Sequence, residues 1–293
     1  MSDQAKIYIG TSGWSYPKGE GTWTGYFYPA SGKINELEYY SQFFNTVEIN
    51  NSFYRPPNPS YVYNWARRVP EGFLFTVKLW QKFTHPQMYK EATGEEAVIS
   101  QRDVDQFKRS LEPLARYGKL GALLAQFPPS FKNGRYGQQI LSAVTRTFGQ
   151  YRLAVELRHR SWSDDENTAR LLKEGNVAWV QIDEPKFYSS VAAQVPLTAD
   201  MAYFRFHGRN AEMWWQGDSE TRYKYLYSND EINELAEKVK AFSEQTNLTF
   251  VLFNNHWQGY APRNAVDMMK ALRLPLRELP IQIPAQDDEL PKN

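Results

Sequence analysis

Eight short apolar runs, separated by segments of helical period, constrain this chain more than any other feature. The runs are Ile7 to Ser12, Thr46 to Asn51, Phe73 to Trp80, Leu120 to Phe127, Leu153 to Arg158, Ala178 to Asp183, Ala202 to His207 and Thr249 to Asn255. Between them, Asn35 to Phe44 puts Leu37, Tyr40, Phe43 and Phe44 on one face, and Ser60 to Val69 gathers Val62, Trp65 and Val69. Gln101 to Tyr117 reads as a longer amphipathic helix stopped by Gly118. Gln138 to Phe148, Asp165 to Lys173, Asp230 to Glu244 and Pro262 to Ala271 complete the helical set. A repeated strand-helix unit with short connections demands parallel strands, because each helix returns the chain to the same edge. Eight such units close as one α/β domain, a (β/α)8 TIM-barrel-like fold over residues 1–279. An open doubly wound sheet usually has fewer units and often a glycine-rich phosphate turn, whereas Gly10-Thr-Ser-Gly13 lacks that spacing. No clear helix follows Asp183, so the sixth unit is expected to be irregular. The stretch from Pro280, with three prolines and no period, reads as a C-terminal tail over 280–293.

At 293 residues, with 42% apolar and 15% aromatic content, the chain has ample material for a core. Lys plus Arg number 34 against 33 Asp plus Glu, so no global charge argues for nucleic acid or an anionic membrane. The absence of cysteine excludes disulfides, thiolate metal sites and a cysteine nucleophile. Met1 to Lys6 is polar without an apolar signal core, and no apolar stretch approaches the roughly 20 residues of a membrane helix. A soluble cytoplasmic protein is the expectation, with no organic cofactor.

Side chains alternate across a strand, so residues two apart share a face. Val47 with Ile49, Phe75 with Val77, Val155 with Leu157, Val180 with Ile182, and Phe204 with Phe206 form one apolar set suited to packing on helices. The opposite parity is polar: Glu48 with Asn50, Thr76 with Lys78, Glu156 with Arg158, Gln181 with Asp183, Arg205 with His207, and Gln126. In a closed barrel this set points inward at the C-terminal mouth, where a purely structural protein would carry Val, Ile and Leu. Three acids (Glu48, Glu156, Asp183) and three bases (Lys78, Arg158, Arg205) nearly balance there, as buried charge requires. Of the four histidines, His207 beside Gly208 is the best site candidate, His159 has helix-facing parity, and His85 reads as a loop lid or cap. Asn254 and Asn255 place one amide inward in either register. Trp14, Trp23, Trp80, Trp162, Trp214, Trp215 and Trp257 fall in or just after strand-end loops, where they either stack on a ligand or cover the barrel top.

The motifs Gly10-Thr-Ser-Gly-Trp-Ser-Tyr16, Trp23-Thr-Gly-Tyr-Phe-Tyr-Pro29, Val47-Glu-Ile-Asn-Asn-Ser-Phe-Tyr54, Gln126-Phe-Pro-Pro-Ser-Phe131, Val155-Glu-Leu-Arg-His-Arg-Ser-Trp162, Phe206-His-Gly-Arg209 and Phe253-Asn-Asn255 resemble the YecE-like family, domain of unknown function 72. The resemblance spans about Ile7 to Leu274 and implies a TIM-barrel-like fold, with no established reaction. Pro17-Lys-Gly-Glu-Gly21 looks longer than the family's usual link between its first two motifs.

Three functions compete. The first is an enzyme, a hydrolase, lyase or isomerase, acting on a small anionic or polyhydroxylated substrate such as a phosphorylated sugar. Glu48, Glu156, Asp183 and His207 are its candidate catalytic groups, with Glu48 and Glu156 exchanging protons and His207 serving as acid or electrophile. Ser12, Trp14, Asn50, Tyr54, Lys78, Gln126, Arg158, Arg205 and Asn254 are its candidate substrate contacts. Paired carboxylates also suit glycoside hydrolysis, but adjacent bases favour keeping both ionised. The second is a divalent metal held by Glu156, Asp183 and His207, an order that resembles xylose isomerase and apurinic-endonuclease barrels. Against it, strand eight offers Asn254 where those barrels place a carboxylate, and Arg158 and Arg205 repel a cation. The third is a non-catalytic module for single-stranded nucleic acid or protein, which the neutral charge balance disfavours.

Overall fold

Strand β1 (Lys6–Ser12) lies between β2 (Thr46–Ile49) and β9 (Leu248–Phe253), and every strand pair among the described residues is parallel. The computed structural model describes residues 6–218 and 221–276, so the predicted tail from Pro280 lies outside the described residues. Beyond β2 the sheet continues through β3 (Leu74–Lys78), β4 (Leu120–Gln126), β5 (Leu153–Glu156) and β6 (Ala178–Trp179). Beyond β9 it continues through β8 (Met201–Phe206) to β7 (Gln181–Asp183). The two ends of this nine-stranded sheet, β6 and β7, are halves of one predicted run, parted by Val180 alone. One half holds β5 and the other β8, so the sheet curls into a nearly closed α/β barrel.

Helices return the chain between strands: α1 (Glu36–Tyr40), α2 (Pro59–Arg68), α3 (Gln81–Thr84), α4 (Pro86–Thr93), α5 (Gln101–Arg116), α6 (Arg135–Phe148), α7 (Arg160–Ser163), α8 (Glu166–Glu174), α9 (Asn229–Ser243) and α10 (Tyr260–Ala271). Capping sets the ends of the long ones. Ser100 with Asp103 opens α5, and Ser228 with Glu231 opens α9, each as a reciprocal capping box. Gly118, at φ 65°, follows α5 in the left-handed region as its composition predicts. α1 is shorter than the predicted Asn35 to Phe44, and Ser41 at its end turns its hydroxyl back to the Glu38 carbonyl, competing with the helix. The three short helices α3, α4 and α7 have no periodicity long enough to be read from sequence. No helix lies between Asp183 and Met201, which is the irregular sixth unit. Among the described residues no helix is long and apolar enough to cross a membrane.

The barrel interior divides into layers. Phe250 fills the lower part, its ring 5.4 Å from Tyr8 and 5.8 Å from Tyr203. A Cβ on Gly121 would sit 2.7 Å from the Phe250 ring, so the backbone of β4 must be glycine there. Pairing of β3 with β4 shifts register at that point, which lets Gly121 and Gln126 both face inward despite opposite parity. Above this layer the interior turns charged.

Candidate active site

Arg205, near the end of β8 and 1% exposed, is the centre of the charged layer. Its Nη2 donates to Glu48 Oε1 at 2.7 Å, and its Nη1 donates to Glu156 Oε2 at 2.6 Å and to Gln126 Oε1 at 3.1 Å. Glu48 and Glu156 are fully buried. The Tyr203 hydroxyl lies 2.7 Å from Glu48 Oε2 and 2.9 Å from Thr76 Oγ1; having one proton, it donates to the carboxylate and accepts from the threonine. Arg158 donates from Nε to Glu156 Oε1 at 2.6 Å, so both oxygens of Glu156 are engaged. Burial would push Glu156 up, but the guanidinium charges of Arg205 and Arg158 hold its carboxyl well below the usual carboxylate range.

His207 lies 3.1 Å from Arg158 Nη2 through its Nε2 and 2.9 Å from the Asn254 side-chain amide through its Nδ1. A guanidinium always donates, so Nε2 is the acceptor and a neutral ring carries its proton on Nδ1. The amide oxygen of Asn254 is then the atom that faces it. Burial, reinforced by Arg158, brings His207 down to about 3, so the ring is neutral at physiological pH.

Two further groups have acidities displaced toward neutrality. Lys78, the last residue of β3, sets its Nζ 4.1 Å from the centre of the Phe53 ring and makes no hydrogen bond or ion pair among the described residues. Burial and the facing Arg205 lower it to about 7, against the pull of Glu48 and Glu156. Glu184 places Oε2 3.5 Å from Arg158 Nη1, beyond a good hydrogen bond, and that oxygen is buried with no hydrogen-bond partner. Burial pushes the Glu184 carboxyl up, Arg158 pulls it down, and Glu156 adds to the rise.

The structure thus links Glu48, Gln126, Glu156, Arg158, Arg205, His207 and Asn254 through direct contacts, with Lys78 in their electrostatic reach. Asp183 does not join them. It accepts from Arg209 Nε at 2.9 Å and Nη2 at 2.8 Å and from the Tyr227 hydroxyl at 2.7 Å, and Arg209 continues to Glu231 at 3.0 Å. Gln181 also points away, donating to the Val195 carbonyl at 2.9 Å and accepting from the Val195 N–H at 3.2 Å. The sixth strand therefore has the reverse of the predicted parity. With no helix between Asp183 and Met201, the outer side chains of this strand meet the polar backbone of the 184–200 loop, and Glu184 turns inward. The predicted metal triad of Glu156, Asp183 and His207 is not assembled, and among the described residues no three His, Asp or Glu side chains are grouped as a metal would need.

The remaining candidates divide. Ser12 Oγ and Asn50 Oδ1 are buried without hydrogen-bond partners at the ends of β1 and β2. Trp14 packs edge-on against Trp65 at 5.2 Å, beside α2. Tyr54 is 69% exposed and lines an outer cleft with Arg55, Trp65 and Arg109. Trp23, Trp80, Trp162, Trp214 and Trp257 are buried, while Trp215 is exposed. The indole N–H groups of Trp23, Trp80 and Trp162 donate to the carbonyls of His256, Tyr54 and Phe131, so these rings knit the mouth loops together. His159 caps α7 through Nδ1, and His85 is buried edge-on against Phe53.

Sequence reasoning missed Glu184, Tyr203 and most of an aromatic cover, of which it named only Trp214 as a ring covering the barrel top. Tyr203 shares the parity of Arg205 and His207 and was identifiable on that ground; Glu184 lies past the strand end, where parity no longer applies. The cover consists of Tyr16 stacked on His256 at 4.6 Å, Tyr223 at 5.1 Å from His256, and Trp214 and Tyr223 each 6.3 Å from His207.

Fold and site together define a parallel α/β barrel that holds a buried glutamate and arginine network at its C-terminal mouth. The chain belongs to the family described as "Protein of unknown function DUF72", matched over residues 8–288. UPF0759 protein YunF of Bacillus subtilis is 31% identical over 277 residues, covering 91% of this chain and 94% of that one. UPF0759 protein YecE of Escherichia coli is 29% identical over 159 residues, 52% of this chain and 48% of its own. The crystal structure of a DUF72 family protein from Thermotoga maritima superposes with a TM-score of 0.79 at 37% identity, covering 91% of this chain and 99% of that one. One from Enterococcus faecalis gives 0.79 at 29% identity, covering 94% and 99%.

Proposed function

We propose that this protein is an enzyme that receives a small anionic or polyhydroxylated substrate at the C-terminal mouth of the barrel and exchanges protons with it there. The observation that carries this reading is Lys78, a half-buried ammonium without an ion-pair partner among the described residues, within electrostatic reach of two carboxylates that are both claimed by arginine. A structural lysine in that position would take a carboxylate, because a charge partly withdrawn from water gains from pairing. A group near 7 takes and returns a proton with little penalty at physiological pH. Glu184, raised by burial and short of a partner, is the second exchanging group. In this reading Glu48 and Glu156 hold Arg205 and Arg158 in position, and the positive charges of Arg205, Arg158 and Lys78 draw the anion. Neutral His207 orients Arg158.

The test is ligand-induced thermal stabilisation by glycerol 3-phosphate and a set of sugar phosphates and hydroxycarboxylates. The wild-type chain is expected to show saturable stabilisation by one of these, and Lys78→Met to lose it while unfolding at the same or a higher temperature. Equal stabilisation of both proteins would overturn the assignment.

A further inference from the structure

Lys78 differs from a simple anion-binding lysine in what surrounds it. Every carboxylate oxygen within the layer it faces is already engaged: Glu48 by Arg205 and Tyr203, Glu156 by Arg205 and Arg158. The groups that bear on its charge are Glu48 on β2, Glu156 on β5, Arg158 just after β5 and Arg205 on β8, with His85 beyond Phe53 neutral in the fold. Its one close neighbour is a phenyl ring, which shields one side and offers no acceptor. A half-buried amine at a barrel mouth, with no carboxylate holding its proton, can present a free lone pair to a ligand, the condition for covalent attack on a carbonyl. Glu184, a buried carboxyl held against the same Arg158, supplies a proton donor.

We propose that Lys78 is the nucleophile of this site and that its substrates are aldehydes or ketones bearing an anionic group, captured as an imine. This rests on the reading of the site given above and adds the substrate class. The Nζ lone pair adds to the carbonyl carbon, and the carbonyl π pair moves to oxygen, which takes a proton. Nitrogen loses a proton, and the hydroxyl, protonated by Glu184, leaves as water. The balance is amine, carbonyl and the Glu184 proton giving protonated imine, water and the Glu184 carboxylate, with no oxidant or reductant. The protonated imine then draws electrons from the adjacent carbon and loosens a proton or a carbon bond there.

The experiment incubates the full chain with dihydroxyacetone phosphate and sodium cyanoborohydride at pH 7, which reduces an iminium to a stable secondary amine, and maps the modified lysines by mass spectrometry. The expected result is modification of Lys78 at least tenfold above the exposed Lys33 and Lys173, saturable in the probe and blocked by glycerol 3-phosphate. Without reductant, the wild-type chain is expected to catalyse exchange of the ketone's α-hydrogens with D2O, followed by NMR, and Lys78→Arg to abolish both signals with its unfolding temperature retained. Glu184→Gln is expected to slow imine formation by tenfold or more. Stabilisation by glycerol 3-phosphate without any Lys78 adduct would sink the imine and leave the binding site standing. Lys78 modified no faster than Lys33, with no stabilisation by glycerol 3-phosphate, would sink both.

Discussion

Lys78 and Arg205 are both basic and both face the barrel interior, yet they stand in opposite thermodynamic positions. Arg205 compensates two buried carboxylates, so Arg205→Met leaves Glu48 without its guanidinium and Glu156 with Arg158 alone; a loss on the order of 3–5 kcal/mol is expected, read by denaturant unfolding. Lys78 compensates nothing that Arg205 has not already compensated. Its acidity in the fold, about 7, is depressed below that of a free lysine, so the unfolded chain binds the extra proton between pH 7 and about 10.4. Stability therefore rises with pH across that window, and the penalty is present in full below it. Unfolding free energies from pH 7 to 9.5 are expected to climb for the wild-type chain more steeply than for Lys78→Met. Parallel slopes would show that Lys78 is not depressed. Such a difference between two like-charged residues is invisible in sequence, where each appears only as a base on the inward parity.

At the scale of elements, alternation made most of the site legible. Glu48, Glu156, Arg205 and His207 could be placed on one face because β2, β5 and β8 are regular up to their ends, where period two is a steric necessity. The rule failed at the sixth strand. There the inward face is read from polarity, as in the other strands, although no helix follows between Asp183 and Met201 to take up the strand's outer side chains. Gln181 instead engages both the N–H and the carbonyl of Val195, acting as the partner that a neighbouring strand would otherwise provide. Gln181→Leu is expected to cost about 1–3 kcal/mol, the desolvation penalty of leaving those backbone groups unmet, and to raise hydrogen exchange at the Val195 amide. Tyr54 and Trp14 show the other limit: a motif places a residue beside the mouth without saying whether its ring turns in or out, and that depends on α2 and Trp65 packed alongside. The cover of Tyr16, His256 and Tyr223 comes from loops far apart in the chain, and no local pattern reports such contacts.

At the scale of the whole molecule, the charged layer joins strands from the two ends of the sequence. Glu48 and Glu156 belong to the first five strands, but their shared cation, Arg205, arrives only with β8, and Asn254, which engages His207, with β9. A fragment ending near Gly175 would have to bury two carboxylates around a missing guanidinium. It is expected to lack a cooperative unfolding transition and native near-ultraviolet dichroism, whereas a half barrel that folded alone would show both. The same arrangement bears on the order of events during synthesis. Each strand can emerge and pair with the one before it, but the acidic residues already made have no stable interior to occupy until the polypeptide has been extended past residue 205. The nascent barrel must therefore wait with its mouth solvated, and completion of the site and closure of the domain become one late step.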